Sequence, residues 1–411
     1  MTAADLLDLV RAAPDDDAPR LLFADWCDEA GDPARGEFVR TQLALARLAA
    51  ADPLRPPLAR REAELLGTHA TRWAEPLKGV AGGPVFRRGF VDEVKATARQ
   101  FAAHADALFA LAPVRHLHLL DLGDYLPALR SRHLAKLAGL TVYAQRVDAG
   151  RAGDGRLVGE LADSPHLGGL KRLHLGRNRI GDAGVARLAE ADLQAIEDLD
   201  LRENDLTDAA AGLVARADTF ARLRRLQLAG NRIGPGGAAA VADPRRLPDL
   251  RWLGLAANPL AGRAIADDLL SRPAVDLSAN GFVAADLLSL LAVPGPALLR
   301  EFDLSDNPLG DAAGLAVAAS PRLAGLRSLS LCNVGLGDAG LAALAASPHV
   351  TRLLKLDVGR NPVGDDGLRN TLRGPALRGL RELSYPRIGV SFWMRQSLDR
   401  RFNRDQANTR R

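Results

Sequence analysis

A motif that returns at a near-constant interval limits what a chain can become more than any single residue does. Here it is L-x-x-L-x-L-x-x-N-x-(I/L), first complete at Leu170, Leu173, Leu175, Asn178 and Ile180. It returns at Ile196, Leu199, Leu201, Asn204 and Leu206, then at Leu223, Leu226, Leu228, Asn231 and Ile233, then at Leu250, Leu253, Leu255, Asn258 and Leu260. A shortened copy has Val275, Leu277, Asn280 and Phe282. Fuller ones follow at Leu299, Phe302, Leu304, Asn307 and Leu309, and at Leu353, Leu356, Val358, Asn361 and Val363. The asparagines stand 26, 27, 27, 22, 27 and 54 residues apart, the last step being two periods. A period of this size means stacked supersecondary units.

Within one copy, Leu173 and Leu175 alternate with His174 and Gly176, the two-residue period of a strand with one buried face. The asparagine falls where the chain leaves that strand, and its amide can satisfy backbone groups that the turn would leave unpaired. A glycine–acid turn follows, such as Gly181-Asp182-Ala183-Gly184, then a helical stretch. Gly310-Asp311 and Gly337-Asp338 open the same segment, with the aspartate placed to cap the helix it begins. No copy can bury its own leucines, so each needs neighbours. Strands stack about 4.8 Å apart and helices about 8–10 Å apart. A stack with strands on one side and helices on the other therefore curves, with its strands inside.

This pattern resembles the leucine-rich repeat of the longer, ribonuclease-inhibitor-like type. The resemblance implies an α/β fold, a right-handed solenoid with parallel strands on a concave face and helices on a convex one. About 10–11 copies are expected over residues 114–390. Those before Leu170 are imperfect: Leu122 and Gln145 stand at the asparagine position, and 148–155 is an insertion. Val334 replaces the asparagine of another copy, with Asn333 one residue early. The 22-residue step shortens the helix expected around 264–270. Residues 391–411 close the stack with a helix, covered by Phe392, Trp393, Leu398 and Phe402, and a basic tail.

Residues 1–48 read as a small helical domain. Leu6, Leu7, Leu9 and Val10 suit a first helix; Asp15, Asp16 and Asp17 supply caps for a second with Leu21, Leu22 and Trp26 inward. A third carries Phe38, Leu43 and Leu45. The segment from Pro14 to Trp26, with Gly31 to Arg40, resembles the bacterial repeat-companion domain, a module that precedes repeat regions and brings no known activity. Its charges Arg20, Asp25, Arg35, Glu37 and Arg40 suit an ion-pair and capping network, the alternative being a docking face. Residues 49–113 form a linker and N-terminal cap: a helix over 58–73, one or two short strands around Gly89, and a helix with Phe101, Leu108 and Leu111.

Several functions lose support from the sequence. No phosphate-cradling, dinucleotide, nucleophile-elbow or zinc-protease motif is present, so no catalytic, cofactor-binding or metal residue is assigned. His69, His104, His116 and His118 lack metal-ligand spacing. Cys27 and Cys332 suggest no disulfide framework, and Cys27 reads as an inert thiol rather than the nucleophile of a cysteine-dependent enzyme. With no signal peptide and no apolar run of spanning length, the cytoplasm is expected and a membrane is not. The net charge of +4 is spread unevenly: residues 1–50 carry ten acids against five arginines, and 391–411 six arginines against two aspartates.

A scaffold that binds an unidentified protein through the concave face is therefore the leading expectation. The outward strand positions supply the candidate contacts Tyr143, Arg172, His174, Asp200, Arg202, Arg225, Gln227, Trp252, Asp276, Asp303 and Asp357. Trp252 stands out, either as a binding hot spot or packed over Ala229 and Ala256. The rival is a nucleic-acid-binding protein using arginine-rich surfaces, disfavoured because acids interleave on the same face. The oligomeric state is left open.

Overall fold

The computed structural model describes the chain except residues 50–51, 122–125, 144–155, 263–266, 293–297 and 403–411. Leu122, Gln145, the 148–155 insertion, the start of the 264–270 segment and the end of the basic tail thus lie outside the described residues. The chain divides into two units, residues 1–178 and 179–411.

The first unit opens with helices α1 (Ala3–Ala12), α2 (Ala18–Glu29), α3 (Pro33–Arg47) and α4 (Arg55–Ala74). An antiparallel hairpin follows, β1 (Gly82–Arg87) and β2 (Phe90–Thr97), then α5 (Ala98–Leu111). Strands β3 (His116–Leu120), β4 (Gly139–Tyr143) and β5 (Arg172–His174) add in parallel, with α6 (Arg156–Ala162) before β5. Thr2 and Thr97 cap α1 and α5 through capping boxes.

The N-terminal helices share one interior with the hairpin. Gln42 on α3 donates to Phe86 O (3.0 Å) and accepts from Gly89 N (2.7 Å), at the turn between β1 and β2. The inward face of α2 is not the expected Leu21 and Leu22, which are exposed, but Arg20, Ala24 and Cys27. The charged residues divide accordingly. Arg40 pairs with Asp25 (2.6 Å) and Asp28 (2.7 Å), and Glu37 with Arg61 (2.7 Å). Arg35 instead lies buried among the rings of Trp73, Phe86, Phe38 and Phe90, its guanidinium carbon 4.8–5.7 Å from their centroids. Arg20 faces Phe90 at 5.5 Å. Guanidinium is weakly hydrated and stacks on aromatic faces, so it accepts such a site where ammonium would not. The three acids before α2 also act differently from one another. Asp16 receives the Ala18 N–H (3.0 Å), whereas Asp17 holds Arg47 and Arg88.

The second unit alternates short strands with helices: α7 (Gly181–Ala189), β6 (Asp198–Asp200), α8 (Asp208–Arg216), β7 (Arg225–Gln227), α9 (Pro235–Ala242), β8 (Trp252–Gly254) and β9 (Ala274–Asp276). It continues with α10 (Ala284–Ala292), β10 (Glu301–Asp303), α11 (Ala312–Ala319), β11 (Ser328–Ser330), α12 (Asp338–Ala346), β12 (Lys355–Asp357), α13 (Asp365–Arg373), β13 (Glu382–Ser384) and α14 (Phe392–Phe402). Strands β6 to β13 pair in parallel, in register, in chain order. Their inward leucines, such as Leu199, Leu226, Leu253, Leu329 and Leu356, are 0–2% exposed. Between β8 and β9 the described residues hold only a short 3-10 turn, Asp267–Ser271, as the 22-residue step requires.

Two hydrogen-bond ladders join consecutive repeats of this unit. Asn307 is representative of the first: its Oδ1 accepts from Asn280 N and Phe282 N (both 3.0 Å), and its Nδ2 donates to Leu277 O (3.0 Å) and Leu304 O (2.8 Å). Asn231 and Asn361 make the same four bonds. The residue before each asparagine position takes a left-handed backbone, as at Glu203, Gly230, Ala257, Ala279, Asp306, Asn333 and Arg360. Asn333 is thus a turn residue whose side chain reaches Asp306, not a displaced ladder asparagine.

The second ladder corrects the expected capping role of the aspartates. Asp182 accepts from Thr207 N, Asp208 from Gly234 N, Asp311 from Gly337 N and Gly340 N, Asp338 from Gly364 N and Asp365 from Ser391 N, at 2.6–2.9 Å. Each serves the helix of the following repeat. The last helix meets expectation only in part: Leu398 is buried as expected, together with Met394, while Phe392 and Trp393 are 63% and 74% exposed.

Candidate functional site

The outward strand positions are the candidate site, and each unit presents its own set. In the first unit, His116 and His118 lie on one face of β3, in register with Gly139 and Thr141 of β4, which are in turn opposite Arg172 and His174 of β5. The His116 ring folds over Gly139, where a Cβ would stand 2.3 Å from Cδ2. It is fixed by Asp92 (Nδ1–Oδ2 2.7 Å) and meets Arg172 Nη1 at 3.3 Å. His118 contacts Glu93 Oε1 at 2.8 Å and stacks with Tyr143, with centroids 6.4 Å apart. Of the expected contacts, Tyr143 and Arg172 are therefore exposed and His174 is half-buried. The histidines are held by carboxylates. Among the described residues no group of three or more His, Cys, Asp or Glu side chains is placed to hold a metal.

In the second unit, Arg225, Trp252 and Ala274 form one row across β7, β8 and β9, and Gln227, Gly254 and Asp276 the next. The guanidinium carbon of Arg225 lies 3.5 Å from the centroid of the Trp252 ring. The far edge of the indole lies over Gly254, whose missing Cβ would stand 2.5 Å from Cη2. Glycine here provides the floor that lets a tryptophan lie flat, and Ala274 beyond it is small. The result is a half-buried aromatic plate with a cation on one side. Gln227 accepts from Ala229 N through Oε1 (3.1 Å), which orients its amide beside the plate.

The acids form a separate group. Asp276 accepts from Ser278 N (3.0 Å) and Oγ (2.7 Å), Asp303 from Ser305 N (2.9 Å) and Asp357 from Gly359 N (2.8 Å). Burial, then Asp303 nearby, raises the Asp276 carboxyl above the usual carboxylate range. Asp200 is buried and chelates Arg202, with Nε 2.7 and 3.0 Å from its two oxygens, so both residues are already committed to each other. Reading the strand by residue type gave the rows but missed the glycines. Gly139 and Gly254 carry no side chain, and only the register shows that each leaves room for the ring beside it.

The family model for the Leucine Rich repeat matches residues 170–189, 223–242, 296–318 and 351–370. With the paired strands and asparagine ladder above, this makes the chain a leucine-rich-repeat protein. It is similar to a crystal structure of an internalin from Listeria monocytogenes (19% identity, 67% of this chain and 69% of that one, TM-score 0.43). It is also similar to the Rad7 and Elc1 complex of yeast (14% identity, 92% and 96%, TM-score 0.47). The TLR13–ssRNA13 complex aligns at 19% identity over 66% and 43%, with a TM-score of 0.37. No curated protein sequence matches the chain.

Proposed function

We propose that this protein is a non-enzymatic scaffold of the cytoplasm that binds a protein partner through the outward face of its strands, with the plate formed by Arg225 and Trp252 at the centre of the contact. The observation that carries this is the plate itself. A tryptophan laid flat over Gly254 and braced by Arg225 loses little side-chain entropy on binding and offers a large apolar area ringed by polar groups. Asp276, Asp303 and Asp357 on one side and Arg225 on the other give a partner two signs of charge to match. No helix among the described residues is long and apolar enough to cross a membrane, and the two free cysteines suit a reducing compartment.

The test compares affinity capture from the native lysate by the intact chain and by a Trp252→Ala, Arg225→Glu double variant. Proteins recovered with the intact chain and absent with the variant are the expected result. Identical recovery of every co-purifying protein removes the strand face from consideration. Nuclease treatment that empties the capture turns the reading toward nucleic acid.

A further inference from the structure

The row just before each strand carries a charge pattern of its own. In the second unit it runs Glu197, Arg224, Arg251, Pro273, Arg300, Arg327, Leu354 and Arg381 from β6 to β13. The backbone joins these positions directly: Arg224 N donates to Glu197 O, Arg251 N to Arg224 O, Arg300 N to Pro273 O, Arg327 N to Arg300 O, Leu354 N to Arg327 O and Arg381 N to Leu354 O, all at 2.7–2.8 Å. They are therefore neighbours across the strands. All five arginines are exposed, and Arg222 and Arg352, two residues before their own row, add to the same edge. Against them stand Glu197, 3.8 Å from Arg224, and Asp249. Arg251, Arg327 and Arg381 have no ion pair among the described residues.

An edge of like charges is unfavourable by itself, because the guanidinium groups repel one another with nothing between them. The packing calls on one of them, Arg300, whose Nη1 donates to Gly325 O (2.8 Å), while the inward strand positions of the same repeats are apolar. The acids, by contrast, lie further along the strands, at Asp276, Glu301, Asp303 and Asp357. The edge before the strands is thus predominantly basic, whereas the strand rows carry these acids together with Arg225 and Lys355.

We infer that this arginine edge binds an extended acidic peptide segment, laid crosswise over the starts of β7 to β13. Six strand intervals of about 4.8 Å give a span of roughly 29 Å, the length of about nine extended residues. Carboxylates on such a segment meet guanidinium groups that can hold them two-pronged. A nucleic acid fits less well. Its strand is charged on every unit and would lie beside the carboxylates of the middle rows. Trp252 is also a lone aromatic on the outward rows of β6 to β13, where successive bases need a series of rings. The inference concerns the edge rather than the plate, and it holds whether or not the plate binds a partner.

The experiment measures fluorescence anisotropy of a labelled ten-residue glutamate-rich peptide with the full chain, at several salt concentrations. Arg251→Glu with Arg327→Glu should weaken binding by about tenfold or more, while Trp252→Ala leaves it unchanged. Arg369→Glu with Arg373→Glu, on α13, is the control for net charge. An equal loss in that control, no measurable binding by the intact chain, or tighter binding of an oligothymidylate of equal charge would each overturn the inference. A loss with Trp252→Ala alone would move the peptide onto the plate and also overturn it. Circular dichroism of each variant confirms that the fold is intact.

Discussion

The carboxylate of Asp311 accepts the backbone N–H of Gly340, which belongs to the next repeat, at 2.9 Å. It also takes the N–H of Gly337 at 2.7 Å. The first turn of α12, whose N–H groups have no partner within the helix, is thus capped from the preceding repeat. The glycine of the Gly-Asp-Ala-Gly turn is what admits the carboxylate. A Cβ on Gly340 would stand 2.5 Å from Leu336 Cδ1, 2.7 Å from Asp311 Oδ1 and 3.0 Å from Asp311 O. Gly340→Ala should therefore destabilise the chain by roughly 1–3 kcal/mol, although alanine favours helices. An unchanged urea midpoint would show that the neighbours yield freely.

The asparagine ladder predicts an asymmetry between two positions one period apart. Asn307→Ala removes five bonds at once, to backbone groups of Asn280, Phe282, Leu277, Leu304 and Ser305. A loss of at least about 2 kcal/mol is expected. Val334 fills the same position one repeat later, and Val334→Asn should change stability by less than about 1 kcal/mol, since new bonds offset the lost apolar burial. Denaturation of the two variants side by side decides the matter, and equal losses would refute the ladder's role.

What was legible in the sequence follows from the distance over which each interaction acts. Leu173 and Leu175 alternate within one strand, and the asparagines recur along one period, so both were read correctly without coordinates. The partner of Asp311 lies 29 residues away, and a rule that looks for caps within one helix assigned it to the wrong one. Helix α2 shows a different failure. Leu21 and Leu22 are the apolar residues, but the inward neighbours are the Phe90 ring, which faces Arg20, and Val39 and Leu43 of α3, which pack with Ala24. Trp252 stands out by residue type alone. Its glycine floor and the arginine edge are columns, and columns exist only once the register is known.

Arg272 shows the same lesson as a prediction. It occupies the first leucine position of the shortened repeat, three residues before Val275, and is only 2% exposed. Its guanidinium donates to Ala242 O (2.9 Å), Leu247 O (2.6 Å), Leu250 O (3.3 Å) and Val241 O (3.3 Å), carbonyls at the end of α9 and in the loop after it. Arg272→Leu restores the repeat consensus, yet it should cost about 2–4 kcal/mol because those carbonyls lose their donor in a dry interior. Arg272→Lys should recover only part of this, because one ammonium cannot reach four acceptors spread across two segments. A leucine variant as stable as the parent would show that water replaces the guanidinium.

Cys27 gives a prediction in pH. The thiol is 2% exposed on the inward face of α2, and burial, only partly opposed by Arg35, pushes it up to about 11 from 9.0. Because the folded value lies above the unfolded one, the unfolded chain gives up its proton first. The stability gained by keeping the thiol neutral is then fully present below about pH 9 and is lost as the pH climbs toward 11. Cys27→Ala should flatten that part of the stability profile. Thiol chemistry gives an independent reading at pH 8. The half-buried Cys332 should react with a disulfide reagent in the folded protein, whereas Cys27 reacts only on unfolding. Fast modification of Cys27 in the folded chain would reopen the reading of this residue as a nucleophile. A slow, denaturant-dependent rate would show that the thiol stays neutral, leaving the buried Arg35 guanidinium to be held by its four rings rather than by a thiolate.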